Sequence, residues 1–116
     1  MTPRRIPKPW GEEILFAHTD RYAGKVLTVR RGESLSLQYH EKKEETLYLY
    51  RGRVRLWIEE DSVLQERIML PGDSRHIRPL TRHRMEALED SEIFEVSSPE
   101  LDDVVRLEDR YGRAPG

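Results

Sequence analysis

Gly32-Glu33-Ser34-Leu35-Ser36-Leu37-Gln38-Tyr39-His40-Glu41-Lys42-Lys43-Glu44-Glu45-Thr46-Leu47-Tyr48-Leu49-Tyr50-Arg51-Gly52 is the stretch that decides how this chain is read. Between two glycines it sets Gln38, His40 and Glu45 in the order Gly-x5-Gln-x-His-x4-Glu-x6-Gly. Residues two apart on an extended strand share a face, so Gln38 and His40 point the same way, with Glu45 one short turn further on. Thr46-Leu47-Tyr48-Leu49-Tyr50 alternates and places Leu47 and Leu49 on the face that carries Glu45. That carboxylate is therefore expected to point inward. An amide, an imidazole and a carboxylate converging in this way are the donors a mononuclear metal site needs.

The same alternation continues on both sides. Glu13 to Ala17, Lys25 to Arg30, Ser34 to Gln38, Glu45 to Tyr50, Arg53 to Glu59, Val63 to Leu70, Arg82 to Leu88 and Ile93 to Ser97 read as strands. Arg53-Val54-Arg55-Leu56-Trp57-Ile58 puts Val54, Leu56 and Ile58 on one face. Arg31-Gly32-Glu33, Arg51-Gly52-Arg53 and Pro71-Gly72-Asp73 are turn tripeptides whose glycines can take positive φ. Many short strands with regular turns make an all-β sandwich or barrel. Pro3, Pro7 and Pro9 mark residues 1–11 as an extended N-terminal arm. Ser98-Pro99-Glu100-Leu101-Asp102-Asp103 predicts one short helix with acids in its first turn, opening a tail over residues 98–116. Ala114-Pro115-Gly116 reads as a frayed end.

Composition limits what such a fold can do. A chain of 116 residues has the length of one domain, 1–116, with one modest core. Acids and bases are interspersed and the formal net charge is -2, so there is no electrostatic footprint for nucleic acid or an anionic membrane. Cysteine is absent. Any metal is thus left to nitrogen and oxygen ligands, and disulfides are excluded. No apolar run has the length of a membrane span and the first residues lack a signal-peptide middle, so a cytoplasmic location is the expectation.

Gly32 to Gly52 resembles the first signature of the cupin superfamily, with Gln38 where many cupins carry a first histidine. Gly72-Asp73, with His83 eleven residues after Gly72, is similar to the second. The proline position of that second pattern falls on Arg78, with Pro79 one place late; its glycine position is Leu80 and its asparagine position Ala87. His76, preceded at the right distance by Pro71 but without the upstream glycine, is the rival to His83. Lys8-Pro9-Trp10-Gly11, Leu35-Ser36-Leu37-Gln38-Tyr39-His40 and the segment from Asp102 to Arg113 further resemble the cupin domain of type II phosphomannose isomerases, over nearly the whole chain. The chain is read as a stand-alone small cupin. In that family the domain often follows a sugar-nucleotide pyrophosphorylase domain, of which these residues show nothing, so guanylyltransfer is not implied.

The resemblance implies a double-stranded β-helix, or jelly-roll barrel, with one divalent metal ion (Zn, Mn, Fe, Co or Ni) held by Gln38, His40, Glu45 and His83. It implies an aldose-ketose isomerase of the mannose-6-phosphate type, acting on a sugar or sugar phosphate. The family's catalytic arginine falls on Lys43, and its aromatic residue two after the glutamate on Leu47. Lys43 and Arg84, which adjoins His83, are the candidate catalytic side chains; Lys25, Lys43 and Arg84 are the candidate substrate contacts. Two histidines and one carboxylate are also the triad of non-haem iron dioxygenases, and a cupin that binds metal or sugar without turnover is a third reading. Trp10 and Trp57 are expected to pack, His18 to sit in a turn, Tyr22, Tyr48 and Tyr50 to lie on a sheet surface, and Arg106 and Arg113 to pair with acids of their own tail. Leu35 and Leu37 alternate away from Ser34, Ser36 and Gln38. Their cover is expected to come from a second copy in a homodimer, with the N-terminal arm crossing over.

Overall fold

The computed structural model describes residues 1–114, so the frayed end expected at Pro115 and Gly116 lies outside the described residues. Its strands are β1 (Arg4–Lys8), β2 (Gly11–His18), β3 (Ala23–Val29), β4 (Leu37–Tyr39), β5 (Glu45–Arg51), β6 (Val54–Glu60), β7 (Val63–Met69), β8 (Ser74–Ile77), β9 (His83–Ala87), β10 (Ser91–Ser97) and β11 (Val105–Glu108). They form a six-stranded sheet in the order β1-β2-β3-β10-β5-β8 and a five-stranded sheet in the order β11-β4-β9-β6-β7. All the pairings are antiparallel. Alternation closes the two sheets over one core: Leu27, Val29, Leu47, Leu49 and Ile93 come from the first, and Val54, Leu56, Ile58, Met85 and Ala87 from the second. Trp10 joins them, as expected of a packing anchor, while Trp57 lies on the outer face with the Arg55 guanidinium 5.9 Å from its ring centroid.

Four expectations are corrected. Residues 4–8 do not cross over as a free arm; they fold back as β1 onto β2, from Arg4 opposite Leu15 to Lys8 opposite Gly11. Pro7 is tolerated because β1 is an edge strand. The helix at 98–103 is absent: those residues turn, and Val105–Glu108 then pairs with β4. Asp103 spends its carboxylate on the N–H groups of Glu41, Lys42 and Lys43 (3.0, 2.7 and 2.8 Å), and β-branched Val104 and Val105 favour the extended chain that follows. Strand β8, four residues with only Ile77 buried, is too short and polar for its alternation to be read. Finally, Ser34 to Gln38 is not one regular strand. Only Leu37–Tyr39 pairs continuously, with an isolated bridge from Ser34 to Glu86, and the irregularity lets Leu35 pack on this chain's own core. Leu35 therefore needs no partner to cover it.

Candidate metal centre

The loop after β4 and the starts of β5 and β9 bring His40, Glu45 and His83 together inside the barrel. Each is about 3% exposed, and one ligand atom from each lies within 4.8 Å of the others. Glu45 Oε1 is 3.4 Å from His40 Nε2 and 3.1 Å from His83 Nε2. The other ring nitrogens face carbonyls: His40 Nδ1 is 2.5 Å from Asp103 O, and His83 Nδ1 is 2.9 Å from Thr81 O. A carbonyl can only accept, so each Nδ1 carries the donated hydrogen. In the neutral ring the lone pair is then on Nε2, aimed at Glu45. His40 Nε2 has no hydrogen-bond partner despite its burial. Lone pairs converging on a carboxylate repel unless a cation lies between them, and outer carbonyls that set the tautomer are the support usual for metal-ligating histidines. These residues therefore fit a metal ion.

Next to the triad lies a chain of buried charges. Lys43 Nζ is 2.9 Å from Glu95 Oε2 and 3.2 Å from Glu45 Oε2. Burial opposes the charge on Lys43, but the Glu95 and Glu45 carboxylates outweigh it and hold the amine above its ordinary range. Burial likewise opposes ionisation of Glu45; without a cation between them, rings that also bind a proton at Nε2 donate to the carboxylate and, with Lys43, outweigh burial and keep the carboxyl well below the usual range. Glu95 goes the other way: burial, then the charge of Glu45, push it up against the pull of Lys43 and Lys25. Lys43 is thus a charged structural cation rather than a free amine.

A cavity adjoins this network, and Gln38, His40, Lys43, Glu95 and Lys25 are on its wall. Gln38 stands opposite His83 across the β4–β9 pair, with its Oε1 accepting from Ser36 Oγ at 2.6 Å. Lys25 lies on β3, 3.3 Å from Glu13 Oε1. Arg84 is excluded. It follows His83 on a strand and so points to the outer face, where it donates to Leu35 O and approaches Glu108. His76 is exposed, opposite Thr46, and bonded to Glu44, which removes it as a rival ligand. Of the charged residues on the wall, Glu95 escaped the sequence reading, while Arg106 and Arg113 were expected only to pair with acids of their own tail, as Arg113 does with Asp109. Glu95 had one visible signal, an acid on the buried face of Ile93-Phe94-Glu95-Val96-Ser97. Leu80, at a glycine position of the second signature, takes φ +66 and its N–H reaches His40 O, so the loop before His83 keeps a glycine-like conformation without glycine.

Comparison with known proteins gives these residues a family. The family described as mannose-6-phosphate isomerase C-terminal matches residues 2–109. The chain belongs to it. Among relatives of this mannose-6-phosphate isomerase C-terminal domain, mannose-1-phosphate guanylyltransferase of Escherichia coli (strain K12) is 35% identical over 113 residues, which cover 95% of this chain and 23% of that protein. Xanthan biosynthesis protein XanB of Xanthomonas campestris is 30% identical over 115 residues, covering 95% and 24%. The chain thus spans about a quarter of the length of these relatives. Among solved structures, KdgF from Halomonas sp. has a TM-score of 0.75 at 24% identity, covering 88% of this chain and 91% of that one. Oxalate decarboxylase from Bacillus subtilis has a TM-score of 0.79 at 17% identity, covering 91% and 30%. At such identities these two show the fold alone, and it is the cupin barrel that the two signatures implied. Among the described residues no helix is long and apolar enough to cross a membrane.

Proposed function

We propose that this domain is a metal-dependent aldose-ketose isomerase of the mannose-6-phosphate type, acting on a sugar phosphate. One observation carries the reading: a buried His40–Glu45–His83 triad with Nε2 lone pairs on a carboxylate, beside a cavity, in a chain of this family. His40, Glu45 and His83 would hold one divalent ion (Zn, Mn, Fe, Co or Ni), with Gln38 as a weaker fourth donor. When bound, such an ion supplies Lewis-acid polarisation of a carbonyl. Glu95 is the buried cavity carboxylate that would take the proton from the carbon beside that carbonyl and return it to the former carbonyl carbon, while the hydroxyl proton of the first carbon passes to the former carbonyl oxygen, a transfer in which nothing is oxidised overall. Lys43, held charged between Glu45 and Glu95, keeps that carboxylate in place and gives the substrate's developing negative charge a fixed cation. The assignment carries a cytoplasmic location with it.

The test is elemental analysis of the purified chain, followed by a coupled isomerase assay on mannose 6-phosphate with the native metal restored. About one metal per chain and turnover lost in Glu95→Gln support the proposal. Metal without turnover, on mannose 6-phosphate or free mannose, selects the binding module; substrate-dependent oxygen uptake with iron selects the dioxygenase. We also infer a homodimer, with a different contact from Leu35 and Leu37. Ile14, Val26, Phe94 and Tyr48 lie opposite one another across four strands on the outer face of the six-stranded sheet, flanked by exposed Phe16, Tyr50 and Val96. Tyr50 stacks on Phe94 at 5.1 Å, and sheet-on-sheet packing would bury this belt.

A further inference from the structure

The loop that joins two of the candidate ligands is held from outside the sheets. Residues 41–44 connect His40 to Glu45 and lie in no strand, so the ladders that fix Glu45 and His83 do nothing for them. Their four backbone N–H groups go instead to two side chains of the tail. Asp103 Oδ1 accepts from Glu41 N at 3.0 Å, and Oδ2 accepts from Lys42 N at 2.7 Å and Lys43 N at 2.8 Å. Ser98 Oγ accepts from Glu44 N at 2.9 Å, and Ser98 N donates to Glu44 O at 3.0 Å. Successive N–H groups turned to one side make a concavity that takes an anion, and here the anion is the chain's own half-buried carboxylate. The same residue makes a second contact, since Asp103 O lies 2.5 Å from His40 Nδ1. One tail residue thus holds the ligand loop through its side chain and a ligand ring through its backbone.

A ligand at the head of an unpaired loop swings unless something outside the loop fixes it, and the partner of a ligating ring's outer nitrogen commonly changes metal affinity by about ten- to a hundredfold. Bonds from N–H groups to a carboxylate are roughly twice as strong as neutral ones. We propose that Asp103 is the positioning residue of the metal centre: its carboxylate clamps the loop, which sets its carbonyl on His40 Nδ1 and aims Nε2 at Glu45, so that metal affinity depends on the docking of residues 98–104. The inference rests on the metal site of the reading above and not on its isomerase activity. The clamp reaches further than one ring. Lys43, whose N–H it holds, is the cation between Glu45 and Glu95, and Leu101 and Val104 on either side of Asp103 line the cavity. Docking this segment therefore orients the ligand ring, anchors the buried cation and completes one wall of the cavity together. By linkage, a metal that binds better to the docked state also strengthens docking.

The experiment is calorimetric titration of the chelator-stripped full chain with Zn²⁺, with proton NMR of the histidine ring N–H groups in the metal-free chain alongside. Wild type should bind about one Zn²⁺ per chain. Asp103→Ala should weaken binding about tenfold or more, and Asp103→Asn, which keeps one of the two oxygens, by an intermediate factor. Tyr111→Phe, which removes the tail's separate bonds to Glu33 and Ser34 and leaves the clamp, should change binding less than about twofold. The His40 Nδ1–H, sheltered by Asp103 O, should give a resolved resonance in wild type and lose it to solvent exchange in Asp103→Ala, whereas the His83 Nδ1–H on Thr81 O should persist in both. A merely structural loosening of the fold would remove both resonances. If Asp103→Ala does not fold, Asp103→Asn carries the test through the same two readouts. Zn²⁺ affinity in the Asp103 variants within about twofold of wild type, or an equal loss in Tyr111→Phe, overturns the proposal. Failure of wild type to bind Zn²⁺ removes the metal reading and the positioning role with it. Zn²⁺ binding with the expected variant pattern but no isomerase turnover sustains the positioning role and removes the isomerase reading alone.

Discussion

Replacing Lys43 by methionine keeps most of the side chain's volume and deletes one buried charge. In the native fold that charge lies 2.9 Å from Glu95 and 3.2 Å from Glu45, with only 4% of the residue exposed. At an effective dielectric of about 20, each contact is worth roughly 5 kcal/mol of Coulomb energy, most of it offset by desolvation. What the variant loses is compensation: two carboxylates remain buried near each other without their cation. Breaking a buried pair in this way costs about 3–5 kcal/mol, a large part of a small domain's stability. The cost should depend on pH with a definite sign. The Glu95 carboxyl is pushed up by burial and Glu45, and losing Lys43 pushes it further. A group whose folded pKa is raised destabilises the fold as pH rises from its unfolded value through its folded one, by up to about 1.4 kcal/mol per pH unit. Urea unfolding of chelator-treated Lys43→Met should therefore show the full loss at pH 8 and a clearly smaller one at pH 5. Lys43→Met/Glu95→Gln should recover about 2 kcal/mol at pH 8. A loss below about 1 kcal/mol at pH 8, or the same loss at both pH values, would refute the buried-triad reasoning.

Three further outcomes follow from the same coordinates. Glu45→Gln or His83→Ala should reduce metal content by elemental analysis from about one per chain to background, and should abolish the stabilisation of about 3 kcal/mol expected at a hundredfold excess of metal over Kd. Gly52→Ala should cost at least about 2 kcal/mol, because φ is +101 and a Cβ would lie 2.2 Å from Ser91 Oγ and 2.5 Å from Asp90 O; Gly72→Ala, at φ +95 with nothing within 4 Å, should cost only about 1 kcal/mol, and Leu80→Gly should be neutral to about 1 kcal/mol stabilising. Chemical denaturation compares all three. Light scattering should give twice 13.8 kDa for wild type and 13.8 kDa for Tyr50→Glu/Val96→Glu; a monomeric wild type would remove the sheet-face contact.

Much of the site was legible because it is local. Glu45 leads the alternation Glu45, Leu47, Leu49, and a period of two sets a side chain's face irrespective of what the rest of the chain does. His83 was legible through its spacing from Gly72, although the loop's proline and glycine positions had changed; Leu80 holds the conformation those positions specify. Arg84 shows where spacing misleads. Adjacency in sequence to His83 means the opposite face on a strand, so its side chain lies on the outside of the barrel, against Leu35 O and Glu108. Glu95 shows the reverse: an acid 50 residues from Glu45 that meets Lys43 only because β10 pairs with β5.

The sequence by itself determined the all-β class, the alternating core, the absence of thiolate ligands, and the His40–Glu45 pair with its glycine boundaries, because each rests on residue type and short-range periodicity. The tertiary structure decided what depends on pairing between distant strands. It made the first residues an edge strand instead of a crossing arm, and the expected helix a turn leading into β11. It turned Lys43 from a free contact into a cation clamped between two acids, and placed Arg106 in the same row as Gln38 and His83. Local preference is worth a few tenths of a kcal/mol per residue, whereas a ladder hydrogen bond, a buried side chain and a satisfied buried charge together are worth several, so the long-range pairing prevails wherever the two disagree.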